Sequence, residues 1–173
     1  MKVLGIDPGS RNLGYGLVSK NGNKLIAHDH GTLKFNTTVE SNERLLEIYQ
    51  RVKELIQNLK PDQVAIEKVF FAKNVVSALK LGAARGVVIL AVTELGIPLH
   101  EYSPNEVKSA VAGFGHADKE QIAKMITLLL GIKTFATADA SDALAISICH
   151  LQTNGYNQNV RQQLGKATGA LKL

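Results

Sequence analysis

Two short apolar runs that each end on a carboxylate constrain this chain more than any other feature. Val3-Leu4-Gly5-Ile6 leads into Asp7-Pro8-Gly9, and Gln63-Val64-Ala65-Ile66 leads into Glu67. Runs this short, β-branched and bounded by turn residues, predict buried strands. A carboxylate that closes a buried strand is costly to hold. Desolvating an unpaired charge costs on the order of several kcal/mol, so something positive has to stand beside it. A divalent metal ion supplies that charge most simply. Asp139 and Asp142 lie three apart where an apolar helical stretch begins, on a face that continues through Ala145, Ile146 and Cys149. That face is expected to lie on the sheet with its acidic end beside the strand ends.

The rest of the pattern supplies such a sheet. Residues 2–7, 14–19 and 24–34 read as strands joined by short links, with Asn21-Gly22 as a hairpin signal, which predicts antiparallel neighbours. Leu45, Ile48, Tyr49, Val52, Leu55, Ile56 and Leu59 form one helical stripe, stopped near Pro61. A strand ending at Glu67, a long helix over 74–95 and a strand over 97–102 follow. Ser103-Pro104-Asn105-Glu106 is a capping box with proline at the first helical position. Further helices are expected over 118–130 and 139–151. The expected fold is α/β, a mixed five-stranded sheet whose first three strands are antiparallel, with helices on both faces. Residues 1–152 form the expected domain. Residues 153–173 carry Arg161, Lys166 and Lys172 without an acid and are broken by Gly155, Gly165 and Gly169, so they read as a mobile basic tail.

The chain has 173 residues, enough for one domain that buries roughly 70% of its unfolded surface. A formal charge of +5 surrounds a site expected to be acidic. That contrast fits a polyanion approached through a basic rim while metal cancels the carboxylates. Cys149 is the single cysteine, which excludes an intrachain disulfide and fits a reducing compartment. The first residues lack a signal-peptide layout, and Lys80 and Arg85 interrupt the longest apolar region, so a cytoplasmic protein with no membrane span is expected.

Gly5-Ile6-Asp7-Pro8-Gly9, the run from Ile66-Glu67-Lys68-Val69-Phe70-Phe71 to Asn74, and Ala138-Asp139-Ala140-Ser141-Asp142-Ala143 resemble, in order and spacing, the RuvC family of bacterial Holliday-junction resolvases. The resemblance covers about residues 1–152. It implies a ribonuclease H-like fold and a homodimer that nicks two opposing strands of a four-way DNA junction during recombination and repair. It further implies that Asp7, Glu67, Asp139 and Asp142 are metal-binding catalytic acids. By the same resemblance, Lys108 and Lys119 lie near the scissile phosphate, Phe70 enters the junction, and the branch-migration proteins RuvA and RuvB are partners. Lys68 departs from the family pattern, where glutamine is more usual. Chemistry points the same way: two divalent ions activate a water and stabilise the leaving oxygen in phosphodiester hydrolysis, and four carboxylates balance two dications. All-oxygen ligands favour Mg2+, with Mn2+ as a substitute. Asp7 is the expected bridging ligand if its strand is central.

Each signal has a plainer reading. Asp139 and Asp142 could be helix-start acids that suit the helix dipole. Asp7-Pro8-Gly9-Ser10 also resembles the phosphate loop of sugar kinases, which need a second loop and a much longer chain. Phe70 and Phe71 would ordinarily be core, yet they lie in an expected loop between Lys68 and Lys73, where a ring can stack on a base. Arg11, Lys80, Arg85 and Lys124 read first as solvated charges, with Arg11 kept beside Lys68 and Lys73 as a candidate DNA contact. Ala78, Gly82 and Gly86 recur every four residues, for packing either on the sheet or at a dimer interface. His28 and His30 read as surface residues, Cys149 and His150 as structural ones. The alternatives to a junction resolvase are another ribonuclease H-like nuclease, an RNA-processing factor, or a non-catalytic junction-binding protein.

Overall fold

The alternation of apolar side chains along the first strand and the strand ending at Glu67 divides the core into two layers. In the computed structural model, which describes the backbone of residues 1–68 and 75–169 with side chains through Thr153, those strands are β1 (Lys2–Asp7) and β4 (Gln63–Glu67). Val3 and Ala65 face one layer of buried residues, while Leu4, Ile6, Val64 and Ile66 face the other. β1 pairs antiparallel with β2 (Asn12–Asn21), which pairs antiparallel with β3 (Lys24–Lys34). On its other side β1 pairs parallel with β4, and β4 with β5 (Leu99–Tyr102). The sheet order is β3-β2-β1-β4-β5, so Asp7 ends the central strand.

Helices cover both faces, as expected from the sequence. α1 (Ser41–Leu59) buries Ile48, Val52 and Ile56 and stops at Lys60, which takes the left-handed φ of 48° just before Pro61. α2 (Val75–Glu94) packs beside it through Ala84, Val88, Ala91 and Val92. The opposite face carries α3 (Pro104–Ala112), α4 (Lys119–Leu130) and α5 (Ala138–Gly169). Both predicted features of the α3 start are present: the Ser103 and Glu106 capping box and Pro104 in the first turn. A second box, Asp118 with Gln121, starts α4.

α5 departs from expectation at its far end. Its backbone stays helical through Gly169, so Gly155 and Gly165 do not interrupt it. Glycine costs about 1 kcal/mol per residue relative to alanine in a helix but keeps its N–H and C=O. A few such costs do not break a helix already nucleated on the sheet.

Three glycines bring α5 down onto the sheet. Gly5 stands opposite Gly16, and Asp7 opposite Gly14, in the β1/β2 ladder. A Cβ on Gly5 would overlap the Ala143 carbonyl and approach Ser147 N to 2.8 Å. A Cβ on Gly14 would overlap the backbone of Asp139, and one on Gly16 would press on Leu144. The buried Ser147 hydroxyl fastens the contact by donating to the Gly16 carbonyl at 2.7 Å.

Candidate metal and DNA site

The sheet geometry carries Asp7 and Glu67 to one place. β1 and β4 run parallel, so their carboxylates emerge at the same edge. The glycine seat then sets the first turns of α5 over that edge, with Asp139 against Gly14, the cross-strand neighbour of Asp7. Asp7, Glu67 and Asp142 line an open cleft of ≈ 420 Å³, together with Lys108 of α3 and Lys119 of α4. Asp139 does not line the cleft, but it acts on Asp7 electrostatically.

The charges in this cleft do not balance. Burial, then Asp142, Glu67 and Asp139, push the Asp7 carboxyl up to about 7, and Lys119 opposes them. Glu67 is also raised, first by burial and then by Asp142, against Lys119 and Lys108. Lys119 Nζ lies 3.5 Å from Asp142 Oδ2, but its side chain is 87% exposed, so solvent screens the pairing. Three carboxylates and two ammonium groups line the cleft, with a fourth carboxylate beside it. Among the described residues no three such groups stand close enough to enclose one ion as placed. Asp7 and Glu67, the two acids on the strand ends, both hold a proton more tightly than an ordinary carboxyl, through burial first and neighbouring acids second.

The remaining predicted site residues are dispersed. Lys68 is exposed directly after β4, and its charge lowers the Glu106 carboxyl after the hydrogen bonds from Ser103. Arg11 is exposed in the β1–β2 link, where its carbonyl accepts from Phe35 N at 2.9 Å. Phe70, Phe71 and Lys73 lie outside the described residues. Lys124 pairs with Glu120 on the surface of α4.

Arg85 is a correction. It is not a solvated charge: its side chain is 20% exposed, and Nη2 lies 2.5 Å from Glu101 Oε2. Its Nε donates to the Glu67 carbonyl at 3.4 Å. An arginine embedded in an apolar helix four residues from Leu81 and Ile89 was the available signal. Periodicity alone does not say which carboxylate meets it.

α2 has an apolar face with no neighbour among the described residues. Val75 and Leu79 are 74% and 69% exposed, and a Cβ on Gly82 or Gly86 would meet nothing within 4 Å. Those glycines are therefore not required for packing on this chain's own sheet. By length and composition α2 is the one described helix apolar enough to cross a bilayer, yet Ala84, Val88, Ala91 and Val92 are in the core and Arg85 ties it to the sheet.

Known proteins resemble this chain in sequence and fold. Residues 3–150 match the family model for crossover junction endodeoxyribonuclease RuvC. A protein of that name from Citrifermentans bemidjiense is 49% identical over 164 residues, covering 93% of this chain and 100% of its own. Another, from Chloroflexus aurantiacus, is 48% identical over 88% of this chain and 94% of its own. T. thermophilus RuvC, solved in complex with a Holliday junction substrate, superposes with a TM-score of 0.83 at 38% identity, covering 89% of this chain and 94% of that one. The yeast mitochondrial resolvase Ydc2 shares the fold, with a TM-score of 0.67 at 18% identity. With the family model spanning nearly the whole sheet and its helices, this chain belongs to the RuvC family of crossover junction endodeoxyribonucleases, with a ribonuclease H-like fold.

Proposed function

We propose that the protein resolves four-way DNA junctions as a homodimer, hydrolysing one phosphodiester in each of two opposing strands, with Asp7, Glu67, Asp139 and Asp142 as ligands for divalent metal. The observation that carries this reading is the raised Asp7 carboxyl amid three other acids in a cleft with two lysines. Divalent-metal dependence goes with the family. The finer reading is Mg2+, two ions per site, with Mn2+ able to substitute, because every donor is a hard carboxylate oxygen. The residues fit such ions by charge and donor type, although a cation has to draw the acids together. When bound, the ions make water nucleophilic and stabilise the leaving oxygen. Asp7, at the end of the central strand, would be one of the ligands of such an ion.

The chain's own groups do the rest. Lys108 and Lys119 offer positive charge to the scissile phosphate from two different helices, and so also partly neutralise the acids beside them. Lys68, Lys73 and Arg11 are proposed backbone contacts, and Phe70, with Phe71, the rings that meet opened bases. The bare apolar face of α2, with the open Gly82 and Gly86, supports homodimerisation through that helix. RuvA and RuvB are proposed partners on family grounds alone, and a cytoplasmic location follows from the substrate. The test is incubation of a synthetic four-way junction and a linear duplex of the same sequence with Mg2+. Paired, opposing nicks in the junction are expected, and equal cutting of the duplex would contradict junction selectivity.

A further inference from the structure

The proposed ligand Glu67 is held from behind as well as from within the cleft. Its side chain shares the α5 face of β4 with Ala65, whereas its carbonyl receives Arg85 from α2, on the other side of the sheet. The same guanidinium meets Glu101, the penultimate residue of β5, at 2.5 Å. β4 and β5 are otherwise tied at this end by the Lys68 N–H donating to the Tyr102 carbonyl at 2.7 Å. Arg85 therefore adds a side-chain bridge between β4 and β5 at the corner of the sheet on which Glu67 stands. Its planar fork can serve two acceptors at once, which a lysine ammonium on a flexible stem does less well.

We propose that Arg85 is a positioning residue that fixes the end of β4, and hence Glu67, for divalent-metal binding, with Glu101 holding the guanidinium in place. This rests on the metal reading above. Because Arg85 belongs to the helix whose first turns present Val75 and Leu79, the clamp also ties the metal site mechanically to the exposed apolar face of α2. Arg85 lies ten residues beyond Val75, about 15 Å along the helix. Groups that orient a metal ligand typically change metal affinity or activity by roughly 10- to 100-fold when removed, and that is the loss expected of Arg85→Ala.

The test measures Mn2+ binding calorimetrically on the full-length, DNA-free protein, for wild type, Arg85→Ala, Arg85→Lys, Glu101→Gln and Asp7→Asn. Junction affinity without metal and melting temperature are measured beside it. Expected is roughly 10-fold or greater weakening of Mn2+ binding in Arg85→Ala, a smaller loss in Arg85→Lys, the smallest in Glu101→Gln, and junction affinity unchanged within about twofold. Should Arg85→Ala fail to fold, Arg85→Lys and Glu101→Gln carry the same test. A lower melting temperature with wild-type Mn2+ binding would make Arg85 merely structural and overturn the clamp. Lost junction affinity with intact Mn2+ binding would make it a phosphate contact and overturn it equally. Wild type that binds no more Mn2+ than Asp7→Asn would defeat the metal reading itself.

Discussion

α5 helps enclose ionisable groups at two places and treats them oppositely. At its first turns, Asp139 and Asp142 crowd Asp7. Eight residues beyond Asp142, about 12 Å along the axis, His150 is fully buried with a partner on each ring nitrogen. Nδ1 lies 2.8 Å from Tyr102 Oη and Nε2 2.5 Å from Gln63 Oε1. Burial, then His100, whose ring lies 4.4 Å away and tilted by 43°, lowers His150 to about 4, so the ring stays neutral near neutral pH. Burial pushes Asp7 toward its neutral form too, but there the like charges of Asp142, Glu67 and Asp139 add to the push. A buried polar group that is fully partnered specifies the fold, whereas a crowded set of acids keeps binding free energy in reserve for a cation.

Removing the crowding should separate function from stability. Asp7→Asn, Glu67→Gln, Asp139→Asn and Asp142→Asn should each lower single-turnover junction cleavage on the order of a thousandfold or more, because metal activation of the water is lost. Junction binding should survive. Metal-free Asp7→Asn should melt no lower than wild type, since it loses repulsion and not a bond. Near-normal cleavage in any two of these variants would remove the acids from the site.

The opposite outcome is expected at the other end of the helix. His150→Ala leaves a cavity and strips Tyr102 and Gln63 of a partner, which should cost about 3 kcal/mol in denaturant melts. Cleavage per folded molecule should be unchanged. Gly5→Ala tests the seat that joins the two regions. Its methyl would meet the backbone of α5, so a loss of about 1 to 3 kcal/mol is expected, together with slower cleavage as Asp142 is displaced. A stable, fully active Gly5→Ala protein would show that α5 does not depend on this close approach.

The smallest effect is a change in how stability varies with pH. Between about 4 and 7, native Asp7 keeps a proton that the unfolded chain has released, so metal-free stability falls as pH rises through that window. His150 acts the other way. Between 6.5 and about 4 the unfolded chain takes a proton that the native ring refuses, so its contribution, complete above 6.5, is lost as pH falls. Asp7→Asn should remove the fall between about pH 4 and 7, leaving a rise with pH up to 6.5 and a gain over wild type that is complete above about pH 7. His150→Gln should remove the opposing rise between about 4 and 6.5, so that stability falls with pH across that window. Melts across that range would show both, and identical profiles for all three proteins would erase the contrast.

The contrast was only half legible in the sequence. Strands ending at Asp7 and Glu67, the Ser103 cap and the shared face of Asp139 and Asp142 follow from local period and turn chemistry, which a linear pattern records. The family resemblance added Lys108 and Lys119, which the fold brings into the same cleft. The glycine seat was hidden because Gly5, Gly14 and Gly16 acquire meaning only when β1 and β2 pair and α5 arrives from more than a hundred residues away. Arg85 was misjudged for the same reason: its partners lie on two other elements. His150 looked structural because its neighbour Cys149 points elsewhere, but its partners Gln63 and Tyr102 are long-range. Glycines within α5 were overweighted, since a local propensity cost yields to the continuity of a helix anchored on the sheet.

The crowded acids are proposed to form a cation site that protons contest. Calorimetric titration of the DNA-free protein with Mn2+, in buffers of differing ionisation enthalpy, measures it directly. Binding should release protons below about pH 7 and tighten as pH rises, then level off once Asp7 is ionised, and Asp7→Asn should abolish both effects. Mn2+ binding of equal strength at about pH 5 and pH 8, with no proton released, would contradict it.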